Sequence, residues 1–451
     1  MEQVVIYDSS KIISAFRECA ERVKTTNFFQ IDEFIKLMEP IFRESGYRRQ
    51  SQITCYLERH KTKILILHDA GAGDFIISSG VIREIRRIYP DAYIVLLVKS
   101  HISVLAEFCP YVDEIILNEG KFSYSNFHEM FEDYIELASS FLKRNFDVCY
   151  SLAYIAESQL LMYMSGARIR ISLDVYVNET DERSFSNVKF FNFKNTAKFS
   201  TYCISRPKYH CHRVDMAFHM LEIFLHTPIS NRGLEVWYSP LEMTVAQSLL
   251  ENVGRPVYAL CMGGSHQRKM YPPEKYAKFI EMIVTEEKNV TFAILGAGNN
   301  DLKSAEILKN IIPEIYDKNI LDLTDKINYR QSAAILKLCN AYVGNDTGTK
   351  HLAAAVNCPV MEINCYPADL PLTTGDSISV YYPYGVPNVI IRPTRALPEC
   401  SREKSHNSYG CRIVNKPHCI TQIKPQILFD GLKYLKKRVA EKNFKPLYVC
   451  E

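Results

Sequence analysis

Ile64-Leu-Ile-Leu-His-Asp-Ala-Gly-Ala-Gly-Asp74 is an unbroken apolar run that ends in a glycine-rich loop and an aspartate. Beyond it Ile77, Val81, Ile82, Ile85 and Ile88 recur on one helical face until Pro90, and Tyr93-Ile-Val-Leu-Leu-Val98 is apolar again. The order is strand, helix, strand. Strands without polar alternation belong to a parallel sheet covered on both faces. Two more strands are expected near Glu114 to Leu117 and Asp147 to Leu152.

The same grammar returns about 270 residues further on. There Ala341-Tyr-Val343 leads into Gly344-Asn-Asp-Thr-Gly-Thr-Lys-His351, which opens a helix. Other strands are expected at Val257 to Met262, Val290 to Leu295 and Val360 to Ile363, with helices around 273–287, 301–310, 328–339 and 348–356. Such alternation builds a doubly wound domain, whose ligand loops lie at the carboxyl ends of the strands. The expected fold class is therefore α/β, with two Rossmann-like halves facing a central cleft, an arrangement suited to a two-substrate enzyme.

The expected domains are a helical N-terminal extension over residues 1–60, a first Rossmann-like domain over 61–240, a second over 241–395, and a tail over 396–451. In the extension Ile12, Ile13 and Phe16, then Ile31, Phe34, Ile35, Leu37 and Met38, repeat at helical spacing. Residues 174–240 are polar, aromatic-rich and interrupted by Pro207 and Pro228, and read as irregular surface, later helices of the first domain and a linker. At 451 residues, 47% hydrophobic and 23% charged, the chain is long enough for two globular domains. A net charge of +3 demands no strongly acidic partner, and no nucleic acid is expected. The N-terminus has no signal-peptide pattern, and no stretch approaches the roughly 18 apolar residues of a spanning helix, so a cytoplasmic protein is expected. The fourteen cysteines are scattered, many within apolar runs such as those of Cys149, Cys261 and Cys339, and read as reduced core residues.

Four segments carry candidate chemistry. In the first loop, Gly71 and Gly73 let backbone approach a ligand, while Asp74 either caps the following helix or serves as a general base at the mouth of the sheet. Gly263-Gly-Ser-His-Gln-Arg-Lys-Met-Tyr-Pro272 brings glycines together with Arg268 and Lys269 ahead of a helix. That loop is either a solvated basic surface or a phosphate site, and the equivalent loop at Gly296-Ala-Gly-Asn-Asn300 favours the latter. Asp346 and Thr347 precede a helix whose first free N–H groups, near 347–350, form an anion site, with His351 on the Thr347 face.

Three stretches together carry a resemblance to glycosyltransferase family nine, the lipopolysaccharide heptosyltransferases. Residues 63–98, KILILHDAGAGDFIISSGVIREIRRIYPDAYIVLLV, resemble the family's opening strand, Gly-x-Gly-Asp-type loop and helix end. Residues 263–280, GGSHQRKMYPPEKYAKFI, resemble its Lys-x-Trp-Pro segment, and residues 342–363, YVGNDTGTKHLAAAVNCPVMEI, its Asp-Thr-Gly-x-x-His-Leu-Ala-Ala signature. The resemblance implies a GT-B fold, with acceptor bound by the first domain and donor by the second. It also implies inverting, metal-independent transfer from a nucleotide-diphosphate sugar, ADP-heptose above all, with no cofactor required. Asp74 would be the general base. Lys269 would hold the donor phosphates, Asp346 the hydroxyls of the transferred sugar, and Thr347, Gly348 and the helix start the diphosphate, with His351 lining the site. Gly263, Gly264, Ser265 and Arg268 complete the donor side. The acceptor would be a glycan, a lipopolysaccharide core or other glycolipid, or a protein. The chain contains no Asp-x-Asp, the pair that holds a divalent ion in metal-dependent transferases. Two other readings are a nucleotide-sugar epimerase on the same fold and a non-catalytic nucleotide-sugar-binding or scaffold protein; retention of Asp74 and Lys269 argues against the latter.

The chain departs from the family pattern at Tyr271, where Trp is usual, at Thr349-Lys350, at Asp325 and at Cys365-Tyr366. Lys350 offers an added contact to a diphosphate, and Asp325 either repels one or binds a ribose. In the tail, Cys400, Cys411, Cys419 and His418 offer metal-ligand chemistry, but their spacings do not match a Cys-x-x-Cys knuckle. Residues 402–445 hold eleven Lys/Arg against Glu403, Asp430 and Glu441, and Ile427, Leu428, Leu432, Leu435 and Val439 form an apolar stripe beside them. That stripe would pack back on the N-terminal domain or give a peripheral foothold on the inner membrane.

Overall fold

A computed structural model of the chain describes residues 7–26, 30–47, 61–120, 126–153, 155–174, 193–205, 211–369, 377–400, 413 and 415–450. The chain divides into two compact units. The first comprises Met1–Gly71, Val81–Pro207 and Met216–Ser230, and the second Ala72–Gly80, Lys208–Asp215 and Asn231–Glu451.

The first unit is built on six parallel strands, β1 (Lys63–His68), β2 (Tyr93–Lys99), β3 (Glu114–Asn118), β4 (Val148–Ser151), β5 (Ile169–Leu173) and β6 (Tyr202–Ile204), in the order β3-β2-β1-β4-β5-β6. In β1, Ile64, Leu65, Ile66 and Leu67 are all fully buried, as strands covered on both faces require. Ile64 pairs with Ile94 on one side and Val148 on the other. The helices Ser9–Thr26 and Ile31–Glu44 are part of this unit's core. Phe34 lies 5.8 Å from Phe131 of helix Phe127–Arg144, and Phe42 lies 5.7 Å from Tyr163 of helix Ala156–Met164. Tyr47 donates to the carbonyl of Leu142 at 2.6 Å.

The second unit holds seven parallel strands, β7 (Val257–Cys261), β8 (Thr291–Ile294), β9 (Ile320–Asp322), β10 (Ala341–Asn345), β11 (Val360–Ile363), β12 (Asn388–Ile391) and β13 (Tyr448–Val449). Their order is β13-β12-β11-β10-β7-β8-β9. Each sheet therefore reverses its winding once, between β1 and β4 in the first and between β7 and β10 in the second. Loops leaving the carboxyl ends of strands at such a reversal form the ligand crevice of open α/β sheets. The glycine-rich loops after β1, β7 and β10 all leave from these positions.

Helix Pro425–Ala440 corrects the expectation for the tail, because it packs on the second sheet rather than on the N-terminal domain. Leu428, Leu432 and Leu435 are buried in the core with Met361 and Ile391 of β11 and β12. Gly431 allows the close approach: a Cβ there would stand 2.8 Å from Ile391 Cδ1 and 3.1 Å from Met361 Sδ. Lys433 pairs with Glu286 at 3.1 Å, and Lys436 pairs with Glu287. The leucines of the expected membrane-facing stripe are thus spent within the protein. Among the described residues no helix is long and apolar enough to cross a membrane.

Candidate functional site

Asp74 lies in the first turn of helix Ala72–Ile88, after Gly71 at its N-cap. Its Oδ1 accepts from the Tyr381 hydroxyl at 3.4 Å, and Arg213 Nε donates to that same hydroxyl at 2.9 Å. Gly73 faces the start of helix Gly348–Ala355. A Cβ on Gly73 would stand 3.3 Å from Gly348 Cα and 3.3 Å from His351 Cδ2, so the glycine lets the two helix starts approach closely. His351 is buried, its ring 6.3 Å from that of Tyr381, and burial drives its pKa well below the ordinary value. His212 is held to about 3 by burial, with Val214 N–H donating to Nδ1 at 3.0 Å and the Tyr382 carbonyl 2.8 Å from Nε2. Two neutral imidazoles therefore lie in this part of the second unit.

The loop after β7 is fixed by Asn345, the last residue of β10. Its amide donates to the carbonyls of Met262 and of Gly263, at 2.5 and 3.0 Å, and its oxygen accepts from Tyr271 N–H at 3.1 Å and the Tyr276 hydroxyl at 3.0 Å. All four bonds are buried, so a single side chain ties together the two loops at the switch point. Asp301 adds a second tie by accepting from Gly263 N–H at 2.9 Å; burial lifts its pKa to about 6. Gly264 accepts from Asn300 at 3.1 Å, while Ser265 is exposed and Arg268 half-buried on the same loop.

Lys269 closes the loop. Its ammonium lies 2.8 Å from Asp346 Oδ2, while Lys350 reaches Asp346 Oδ1 at 2.6 Å and Glu362 at 2.9 Å. Burial alone would raise the Asp346 pKa, but Lys269 and Lys350 overcome it and hold the carboxyl well below the usual carboxylate range. Burial likewise opposes the charge on Lys350, yet Asp346 and Glu362 raise its pKa. Thr347 is the N-cap of the helix that follows, so the first N–H groups of Gly348–Ala355 point out of its start beside this charged cluster.

The chain's departures from the family pattern now have physical readings. Lys350 is not free to meet a diphosphate, because its side chain is 1% exposed and engaged by two carboxylates. Asp325 spends one oxygen on Gly298 N–H at 2.9 Å and adopts φ 57° there. Tyr271 is fully buried and donates to the Ile423 carbonyl at 3.0 Å. Asp69, the other loop aspartate, belongs to the first unit, where Lys99 at 3.1 Å, Asn118 at 2.8 Å and Tyr134 at 3.2 Å fix it. Cys411 lies outside the described residues. Cys400 and Cys419 are buried, with Cys419 Sγ 3.4 Å from His418 Nδ1, and among the described residues no three His, Cys, Asp or Glu side chains form a metal-holding group.

The profile of glycosyltransferase family 9 (heptosyltransferase) matches residues 135–409, well over half of the chain. The chain belongs to glycosyltransferase family 9. It is thus a sugar-transferring enzyme of the heptosyltransferase type with a GT-B fold. A stretch of 110 residues is 32% identical to lipooligosaccharide heptosyltransferase 2 of Haemophilus influenzae, covering 24% of this chain and 31% of that one. Lipooligosaccharide heptosyltransferase 2 of Haemophilus ducreyi is 23% identical over 69% of this chain and 85% of its own length. In three dimensions the chain is similar to the ADP-heptose lipopolysaccharide heptosyltransferase II of E. coli, with a TM-score of 0.57 at 17% identity over 84% of this chain and 99% of that structure. Within the family-9 chain, Asn345, Tyr381, Arg213, Asp301 and Glu362 were missed by sequence reasoning. Asn345, adjoining Asp346, and Glu362 stood within the stretch 342–363 already singled out.

Proposed function

We propose that this enzyme catalyses inverting, metal-independent transfer of a heptosyl group from ADP-heptose to a hydroxyl of a glycan, lipopolysaccharide-core or protein acceptor, on the cytoplasmic side of the membrane. The acceptor proton passes to Asp74 as the acceptor oxygen attacks the anomeric carbon. The bond from that carbon to the diphosphate then breaks, ADP leaves with the electron pair, and the anomeric centre inverts. Lys269, the N–H groups at Thr347 and Gly348, and the helix dipole neutralise the leaving diphosphate. Asp346 accepts from hydroxyls of the transferred sugar, His351 lines the site as a neutral ring, and Gly263, Gly264, Ser265 and Arg268 border the donor.

The observation that carries this reading is the closeness of the Asp74 helix start to Gly348 and His351, which supports a base and a diphosphate-binding helix start acting together. The ADP-heptose named for the E. coli relative supports the choice of donor. Family membership favours transfer over the epimerase and non-catalytic readings. The test is a thermal-shift panel of ADP, GDP, UDP, CMP and dTDP compounds with and without EDTA. At a hundredfold excess over Kd, a ligand of the folded state adds about 2.7 kcal/mol of stability. ADP compounds should raise the melting temperature selectively and independently of EDTA. Selectivity for another nucleotide would move the donor, and no shift with any compound would overturn the reading.

A further inference from the structure

Lys269 and Lys350 bind different oxygens of one carboxylate, and the two cations are not equivalent. Lys350 is 1% exposed, stands one helical turn past Asp346, and is pinned from behind by Glu362 of β11, itself 1% exposed. Glu362 is fixed in turn by Asn364 Nδ2 at 2.6 Å. Burial raises the Glu362 pKa, with the Asp346 charge adding to it, so Asp346 is the more permanent anion of the two. Lys269 is 23% exposed, so of the two cations it is the one that solvent and ligand can reach.

A buried carboxylate stripped of its last cation is strongly destabilised. If Lys269 alone neutralised Asp346, it could reach a phosphate only by leaving that carboxylate uncompensated. Resting on the donor-site reading above, we propose that Lys350, pinned by Glu362, is a positioning residue that keeps Asp346 paired and oriented, so that Lys269 can exchange the carboxylate for a donor phosphate. Asp346 then faces the sugar with Oδ1 held and Oδ2 released. Lys350 and Glu362 touch no substrate and act only through Asp346.

Calorimetric titration of the full chain with ADP, or with whichever nucleoside diphosphate the wild type selects, tests this. Lys350→Met with Glu362→Gln removes both buried charges at nearly constant volume. With Lys269 now locked to Asp346, nucleotide should bind about tenfold more weakly than to the wild type, and adding Asp346→Asn should free Lys269 and return affinity to within about threefold. Such a rescue by deleting a third charge is not what a packing role predicts. Equal affinity of wild type and double variant, or no recovery with Asp346→Asn, would overturn the proposal. If the double variant does not fold, Lys350→Met alone carries the comparison: weaker binding restored by Asp346→Asn supports the exchange, and unchanged binding overturns it. A wild type that binds no nucleoside diphosphate overturns the donor-site reading itself, which separates that failure from this one.

Discussion

At the scale of single residues, this enzyme sets carboxylates of contrasting character on neighbouring loops. Asp346 is kept charged by two ammonium groups, whereas Asp301 is half-buried against backbone N–H groups, and desolvation lifts its pKa to about 6. Because its folded-state value lies above the unfolded one, the native state binds more protons between about pH 4 and 6, and the Asp301 contribution to stability falls as pH rises through that window. Thermal melts should therefore show the wild type gaining about 1–2 kcal/mol relative to Asp301→Asn on acidification from pH 7 to 4. A difference that stays constant with pH would show that the Asp301 carboxyl titrates normally. For Asp74 the test is kinetic. Asp74→Asn should lower kcat by roughly 10²–10⁴-fold with donor affinity nearly unchanged, since a general base acts on the acceptor. Near-normal turnover would remove Asp74 from the mechanism.

At the scale of elements, helix Pro425–Ala440 shows how one small residue decides where a helix docks. Leu428, Leu432 and Leu435 supply the apolar stripe, but contact with β11 and β12 requires the missing side chain of Gly431. Gly431→Val should destabilise the protein by about 1–3 kcal/mol through overpacking against Ile391 and Met361, with nucleotide affinity preserved in whatever fraction stays folded. Denaturant unfolding and titration distinguish the two, and a coupled loss of affinity would tie this helix to the site. The stripe itself was visible in the sequence as spacing. Its partner was not, because several elements offer a complementary apolar face and only the register of the folded chain selects one.

At the scale of the whole molecule, both sheets follow one winding rule, and the strands that set it, Ile64–Leu67, Tyr93–Val98, Val257–Met262 and Ala341–Val343, could be recognised as continuous apolar runs. Short strands such as Ile320–Asp322 and Tyr448–Val449 could not, since two or three residues carry too little periodicity to stand apart from a loop. The glycine-rich loops and their polar residues, Asp74, Lys269, Asp346 and His351, were equally legible, because glycine before a helix start has a local physical meaning. Asn345 and Glu362 were not: a polar side chain in a strand has no local signature of what it will bind once buried. The sequence by itself thus determined the class of fold, the glycine-rich loops at the strand ends and the family they resemble, all of which rest on short-range pattern. Only the tertiary structure decided that Lys350 is buried between two carboxylates, that Asn345 ties two loops and that the tail helix closes the second sheet, because those outcomes depend on contacts between residues far apart in the chain.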